Sequence, residues 1–123
     1  MIRIPAPGGK SKYHAQKTVI DDITFDSHQE ARYYLYLKMC QKEGIVTGIE
    51  CQPVFPLQDK FTKNGVKYQA INYVADFRVK YADGREEIID VKGMETPVFK
   101  LKRKLFEAKY PALTLKVIGG KRK

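Results

Sequence analysis

Asp76, Asp90 and Lys92 stand at the two ends of a stretch that reads as one β-hairpin. Side chains alternate along a strand, so Ile88, Asp90 and Lys92 share one face while Ile89 and Val91 take the other. Directly paired residues on antiparallel strands point the same way. Asp76 therefore joins Asp90 only if the turn holds an odd number of residues or a bulge intervenes. A two-residue Asp83-Gly84 turn would pair Asp76 with Val91 and separate the acids. A three-residue turn, Ala82-Asp83-Gly84 with Gly84 in the left-handed region, pairs Tyr81 with Arg85 and sets Asp76 opposite Asp90. With that turn in place the chemistry is that of a magnesium site, which takes one or two carboxylates at about 2.0 to 2.1 Å and completes its shell with water and substrate phosphate. The main-chain carbonyl of Val91 can add a third oxygen. Lys92, on the face of Asp90, can reach an attacking water or the charge developing on a phosphate. The competing explanation is a pair of partly exposed aspartates with a cross-strand lysine, a common surface pattern.

The charge of the chain points to the same class of substrate. Its formal net charge is +9, unevenly spread. Residues 1–17 hold four basic groups and no acid, and residues 96–123 hold nine against the single Glu107, whereas 18–95 hold ten basic and thirteen acidic residues. Lysine and arginine gain affinity for nucleic acid by releasing condensed counterions. An acidic-leaning centre between basic ends is thus expected to meet a polyanion, DNA, with Lys10 and Lys17 of the N-terminal arm as phosphate contacts. For Lys121-Arg122-Lys123 a solubility tail is an equally good explanation.

With 123 residues, 43% of them hydrophobic, and no internal repeat, the chain is large enough for one core. No apolar run approaches the roughly 20 residues that span a bilayer, and the N-terminus lacks an apolar segment of signal-peptide length. The expectation is a cytoplasmic protein without a membrane partner. Cys40 and Cys51 have no second pair or nearby histidine at zinc-ligand spacing and read as reduced, buried thiols.

The elements that must position the acids follow from punctuation. Residues 1–17, with Pro5, Pro7, Gly8 and Gly9, read as a flexible basic arm, 18–118 as one domain, and 119–123 as a basic tail. Val19-Ile20 and Ile23-Thr24-Phe25 flank a tight Asp21-Asp22 turn and form a small hairpin. Ser27 with Glu30 three residues on is a capping-box pattern opening a helix to about Glu43, with Ala31, Tyr34, Leu35 and Met39 at helical spacing and Gly44 as its stop. A strand from about Gly48 to Leu57 is interrupted by Pro53 and Pro56. A long strand then runs from Lys67 to Tyr81, and another from Arg85 to Gly93. Thr96 and Pro97 start a second helix whose Val98, Leu101, Leu105 and Ala108 form an apolar stripe, and Leu113 to Ile118 make a last strand. Packing that stripe on the sheet would turn Lys100, Arg103 and Lys104, and with them Lys102, outward as backbone contacts for DNA. His14 and His28 read as surface residues, Tyr13 as a residue able to stack on a base, and Tyr33, Tyr34 and Tyr36 as helix core and surface.

Ala75-Asp76-Phe77, about a dozen residues, then Ile89-Asp90-Val91-Lys92-Gly93 resembles the PD-(D/E)xK nuclease motif. The α, βββ, α, β order over roughly residues 18–118 is similar to that superfamily's core. Ser27 to Glu30, the aspartate-phenylalanine strand and the lysine-glycine after the motif look like phage endonuclease I junction resolvases and TnsA-like transposase endonucleases, and the whole chain resembles a set of small phage and prophage proteins. The resemblance implies a restriction-endonuclease-like αβββαβ fold, a mixed central sheet flanked by helices and preceded by a small hairpin. It implies Asp76 and Asp90 as metal ligands, Lys92 as the catalytic lysine and Glu30 as an additional acid from the first helix, with Gln52 a weaker candidate on the first core strand. Alanine stands in place of the motif's proline at 75, and aspartate rather than glutamate at 90 shortens one ligand by a methylene.

The function expected on this basis is metal-dependent hydrolysis of DNA phosphodiesters by in-line attack of water, with magnesium, for which manganese would substitute. A bacterial host cell is the setting, and branched DNA or a Holliday junction is a candidate target. One small domain holds one site, so cutting two strands calls for a homodimer. The alternative is a non-catalytic nucleic-acid-binding protein of the same fold, which would have little use for acids in a basic groove.

Overall fold

The structure is a computed structural model that describes residues 17–119 and the backbone of residues 2–3. The strands β1 (Ile2–Arg3), β2 (Lys17–Ile20) and β3 (Ile23–Phe25) form a three-stranded antiparallel sheet. Asp21 and Asp22 both have positive φ, at 53° and 65°, which suits the tight turn joining β2 to β3. The expected hairpin is therefore present with a further strand added, since residues 2–3 of the predicted flexible arm pair with Thr18 and Lys17. The rest of that arm, including Lys10, and the tail beyond Gly119 lie outside the described residues.

Ser27 accepts a hydrogen bond from the Glu30 amide at 3.1 Å and caps the first helix, α1 (His28–Lys42). Gly44, at φ 86°, takes the chain out of the helix. There follow β4 (Val46–Cys51), β5 (Val54–Gln58), β6 (Phe61–Lys63), β7 (Val66–Tyr68), β8 (Ile71–Val74), β9 (Phe77–Tyr81) and β10 (Glu86–Val91). Thr96 caps α2 (Pro97–Lys109) by accepting from the Phe99 amide at 3.1 Å, with proline at the first helical position, and β11 (Thr114–Ile118) follows.

The fold is mixed α/β. A four-stranded sheet runs β11-β10-β9-β4, with β10 and β11 parallel and the other pairs antiparallel. Parallel neighbours need a crossover, and α2 supplies it. Two separate two-stranded ribbons, β5-β8 and β6-β7, lie between β4 and β9 in sequence. They correct the expected strands. The stretch 48–57 breaks at Gln52-Pro53, where Gln52 has φ 55° and proline cannot donate to a ladder. The stretch 67–81 breaks around residues 69–70 and 75–76, where the chain passes between ribbon and sheet.

Each helix covers one face of the sheet. Ala31, Tyr34 and Leu37 of α1 pack with Val46, Phe77, Val79, Ile89 and Val91, and Phe25 of the small sheet closes that cluster. On the opposite face Phe99 and Phe106 of α2 pack with Phe55, Tyr73, Ala75, Ile88 and Leu115. Among the described residues no helix is long and apolar enough to cross a membrane.

The expected stripe of α2 is displaced, and that of α1 in part, since Ala31 and Tyr34 are buried as expected. On α1, Leu35 and Met39 are exposed and Leu37 is buried. On α2 the buried positions are Phe99 and Phe106, seven residues apart, while Val98, Leu101, Leu105 and Ala108 face outward. Aromatic rings bury more area than aliphatic chains, and the Phe55-Tyr73 pair offers them partners, with Phe106 5.1 Å from Phe55 and 5.5 Å from Tyr73 between ring centroids. Rotating α2 to bury those rings brings Lys102 and Arg103 to the flanks of the interface, half-buried, and leaves Lys100 and Lys104 exposed.

The turn between β9 and β10 has three residues, because the Tyr81 amide donates to the Arg85 carbonyl at 2.9 Å across residues 82–84. Gly84 sits at φ 94°, and a Cβ there would meet nothing within 4 Å. Gly84→Val thus tests backbone conformation alone. It should cost about 1 to 2 kcal/mol and lower the melting temperature by about 5 to 10 °C. An unchanged melt would mean that this turn is not held in the left-handed region.

Candidate active site

The odd turn sets the register of the site. Lys80 pairs with Glu86, Val79 with Glu87, Arg78 with Ile88 and Phe77 with Ile89, so the next pair in line is Asp76 with Asp90. The Asp76 amide donates to the Ile89 carbonyl at 3.1 Å, and Asp76 Oδ2 accepts from the Val91 amide at 2.7 Å. Within a strand a residue's N–H and C=O point to the same neighbour, so the Val91 carbonyl is directed toward the strand of Asp76 as well.

Asp90 is 1% exposed and is held from two sides. The Tyr73 hydroxyl donates to its Oδ2, and Lys92 Nζ lies 3.4 Å from Oδ1. The same ammonium stands 4.5 Å above the centroid of Phe99, a cation–π contact that fixes the lysine over the α2 face of the sheet. Glu30, 5% exposed, arrives from the first turn of α1. Its carboxyl faces the same cleft as Asp26 and Asp76, so the residue that gives its amide to the helix cap also turns its side chain to the acidic pair. Asp76, Asp90, Glu30 and Lys92 line one cleft of about 440 Å³, together with Thr24, Asp26, Gln52, Val74 and Ala75. Gln52 anchors its floor: the amide donates to the Asp76 carbonyl at 2.9 Å, and Nε2 donates to the Thr24 carbonyl at 3.2 Å.

Three carboxyls gathered under partial burial cannot all remain charged. Burial, then the charges of Asp90 and Glu30, push the Asp76 carboxyl up to about 9 against the opposing bond from the Val91 amide. Glu30 is raised too, chiefly by burial. Burial and the Asp90 charge push the Tyr73 hydroxyl far up, which keeps it a neutral donor to Asp90.

Among the described residues no set of three or more His, Cys, Asp or Glu side chains is grouped as a metal centre. The donor set that fits a divalent cation is the Asp76–Asp90 pair, with the Val91 carbonyl on the same side and Glu30 lining the same cleft. Its hard oxygens and its excess of negative charge suit magnesium. Cys40 and Cys51 are free thiols, half-buried.

Of the residues expected to contact DNA, Lys17 lies 3.3 Å from Asp26, which lines the cleft. Lys100, which follows Phe99, and Lys104 are exposed on α2, and the Phe99 ring lies under the Lys92 ammonium. Arg103 is not turned freely outward but lies 3.9 Å from Glu95. Lys10 lies outside the described residues. Tyr73 was not foreseeable from spacing to Asp90, since it sits on another strand.

The pH dependence has a definite sign. Asp76 keeps its proton in the folded chain to about pH 9, whereas the unfolded residue releases it near the ordinary 3.8, so the native state binds more protons in that window. Stability is therefore greatest below the ordinary value and falls as pH rises through the window. Without divalent cations, calorimetry from mildly acidic to mildly alkaline pH should show a falling melting temperature, and Asp76→Asn should flatten that fall. An equal slope in the variant would refute the protonated carboxyl.

The family model described as a protein of unknown function, DUF1064, matches residues 10–123. No curated protein matches the chain, and no solved structure does. By a match over nearly its whole length, the chain belongs to the DUF1064 family.

Proposed function

We propose that this chain is a magnesium-dependent endodeoxyribonuclease with a restriction-endonuclease-like core of the PD-(D/E)xK kind. The observation that carries the proposal is the convergence of Asp76, Asp90, Glu30 and Lys92 in one cleft, from the end of α1 and from two paired strands. The order α1, β4, β9, β10, α2, β11 supports the same core. So does the face sharing of Ile88, Asp90 and Lys92, with Ile88 in the α2 cluster and Lys92 over Phe99.

A bound magnesium ion would supply a polarised water and neutralise charge on the scissile phosphate. Asp76 and Asp90 would hold it, with the Val91 carbonyl beside them. Tyr73 orients Asp90 by donating to one of its oxygens, and orientation of a ligating carboxylate by such an outer partner is worth about 10- to 100-fold in metal affinity or activity. Lys92, free to exchange its long contact with Asp90 for a phosphate oxygen, stabilises charge that develops in the transition state. Lys17, Lys100 and Lys104 would position a duplex through its phosphates. Cleavage of both strands of a duplex or junction would require two such sites, and hence a homodimer. The chain would act in the cytoplasm of a bacterial host cell, in processing of phage or prophage DNA.

Nicking of supercoiled plasmid with magnesium, and with chelator as control, tests the assignment. Asp90→Asn and Lys92→Ala should each lose on the order of a hundredfold or more in rate, and Tyr73→Phe about 10- to 100-fold. Asp90→Asn should bind DNA at least as tightly as the native chain, because it loses a negative charge. Nicking at native rate by Asp90→Asn would rule out this site, and binding without any metal-dependent cleavage would leave the chain a nucleic-acid binder.

A further inference from the structure

The ribbon β6-β7 stands outside both cores. All six of its strand residues are exposed, and neither strand contributes to the two buried clusters. Its turn, Asn64-Gly65, has φ values of 52° and 78°, the conformation of a tight hairpin turn. Phe61 pairs with Tyr68, Thr62 with Lys67, and Lys63 with Val66. Strand alternation then puts Phe61, Lys63, Val66 and Tyr68 on one face, and Thr62 and Lys67 on the other. The Phe61 and Tyr68 rings stack at 4.7 Å with 15° between planes, yet they remain 43% and 46% exposed.

An isolated two-stranded ribbon is marginal in water, and a cross-strand aromatic pair helps to hold it. That role uses only one face of each ring. Around the rings, residues 59–69 carry Lys60, Lys63 and Lys67 against the single Asp59. Aromatic faces among lysines are what single-stranded nucleic acid recognises: bases stack on the rings while the cations follow the phosphates. The same lysines would repel a second copy of the ribbon, so charge favours a polyanion over self-association.

The location adds to this. The ribbon β5-β8, whose base pair is Val54 with Val74, leads from the four-stranded sheet toward β6-β7, and Val74 itself lines the acidic cleft. Asp76 is eight positions after Tyr68, which limits the distance between them to about 29 Å. One nucleic-acid strand can therefore reach from the cleft to the ribbon.

We propose that the β6-β7 ribbon is a second nucleic-acid site, stacking an unpaired base on the Phe61–Tyr68 pair, with Lys63 on the ring face and Lys67, whose long side chain lines one hollow with Phe61 and Tyr68, at adjacent phosphates. The substrate class is then DNA with unpaired bases beside the cut, as at a bulge, flap or branch, rather than plain duplex. This inference rests on the nucleic-acid part of the reading above and not on its metal chemistry.

The test is fluorescence anisotropy in chelator, in the Asp90→Asn background, with labelled single-stranded DNA, blunt duplex and bulged duplex of equal length. Phe61→Val with Tyr68→Ile keeps strand-forming side chains but removes both rings. It should weaken single-stranded and bulged DNA about tenfold and blunt duplex by less than about twofold, since duplex offers no free base face. Lys63→Gln with Lys67→Gln should weaken all three DNAs and reduce the salt slope by about 1.5. A 2-aminopurine placed at the bulge should be quenched by the native ribbon and by Tyr68→Phe, and not by the double aromatic variant. That readout separates lost stacking from a disturbed ribbon. Unchanged affinity for single-stranded and bulged DNA in the aromatic variant overturns the proposal, as does loss of self-association without loss of DNA binding. If the parent protein binds none of the DNAs, the nucleic-acid reading itself fails; if it binds them and both variants match it, the ribbon site alone fails.

Discussion

Burial of Asp90 and Glu30 against Asp76 is the constraint on which the rest of the structure depends. Charged carboxyls taken from water are unfavourable by several kcal/mol each unless they are paired, hydrogen-bonded or protonated. All three remedies are present in this protein: Lys92 and the Tyr73 hydroxyl on Asp90, the Val91 amide on Asp76, and a raised affinity for protons at Asp76 and Glu30. The Val91 amide and Lys92 come from the end of β10 and Tyr73 from β8, while Glu30 comes from α1 and Asp76 from just before β9, so all four must be in place before the acids are tolerable.

The fold meets that demand by two local irregularities. The three-residue turn at 82–84 puts Asp76 and Asp90 on one face, and a shift of one residue would have sent them to opposite faces. The breaks at Gln52-Pro53 and Ala75-Asp76 let two strands leave the sheet beside the acids, opening the cleft there and sending a ribbon outward. Gln52, in the left-handed region with its amide on the Asp76 carbonyl, marks the divergence.

Much of the site was legible in the sequence because its signals are local. Strand parity ties a shared face for the two acids to an odd turn, which Gly84 permits, and Ser27 with Glu30 suffices to place an acid in the first turn of α1. The helix faces were legible only in part, Ala31 and Tyr34 of α1 being buried as their spacing suggests. Val98, Leu101, Leu105 and Ala108 form the more regular apolar stripe, but Phe99 and Phe106 prevail, since Phe55 and Tyr73 from distant strands give those rings an aromatic pocket. The same holds for α1, where Leu37 displaces Leu35 and Met39. Tyr73 as the partner of Asp90, and the exposed Phe61–Tyr68 stack, depend on pairings that short-range pattern does not encode.

The central claim is that Asp76 and Asp90 form one site whose surplus charge is met by a proton when no metal is bound. Titration of manganese into the DNA-free protein at neutral pH, by calorimetry in two buffers of different ionisation enthalpy, tests it most directly. A cation that displaces the proton must release it to the buffer. The account predicts binding whose apparent heat differs between the buffers, with Asp76→Asn abolishing both the binding and the difference. Binding with identical heats, or binding that survives Asp76→Asn unchanged, would contradict it.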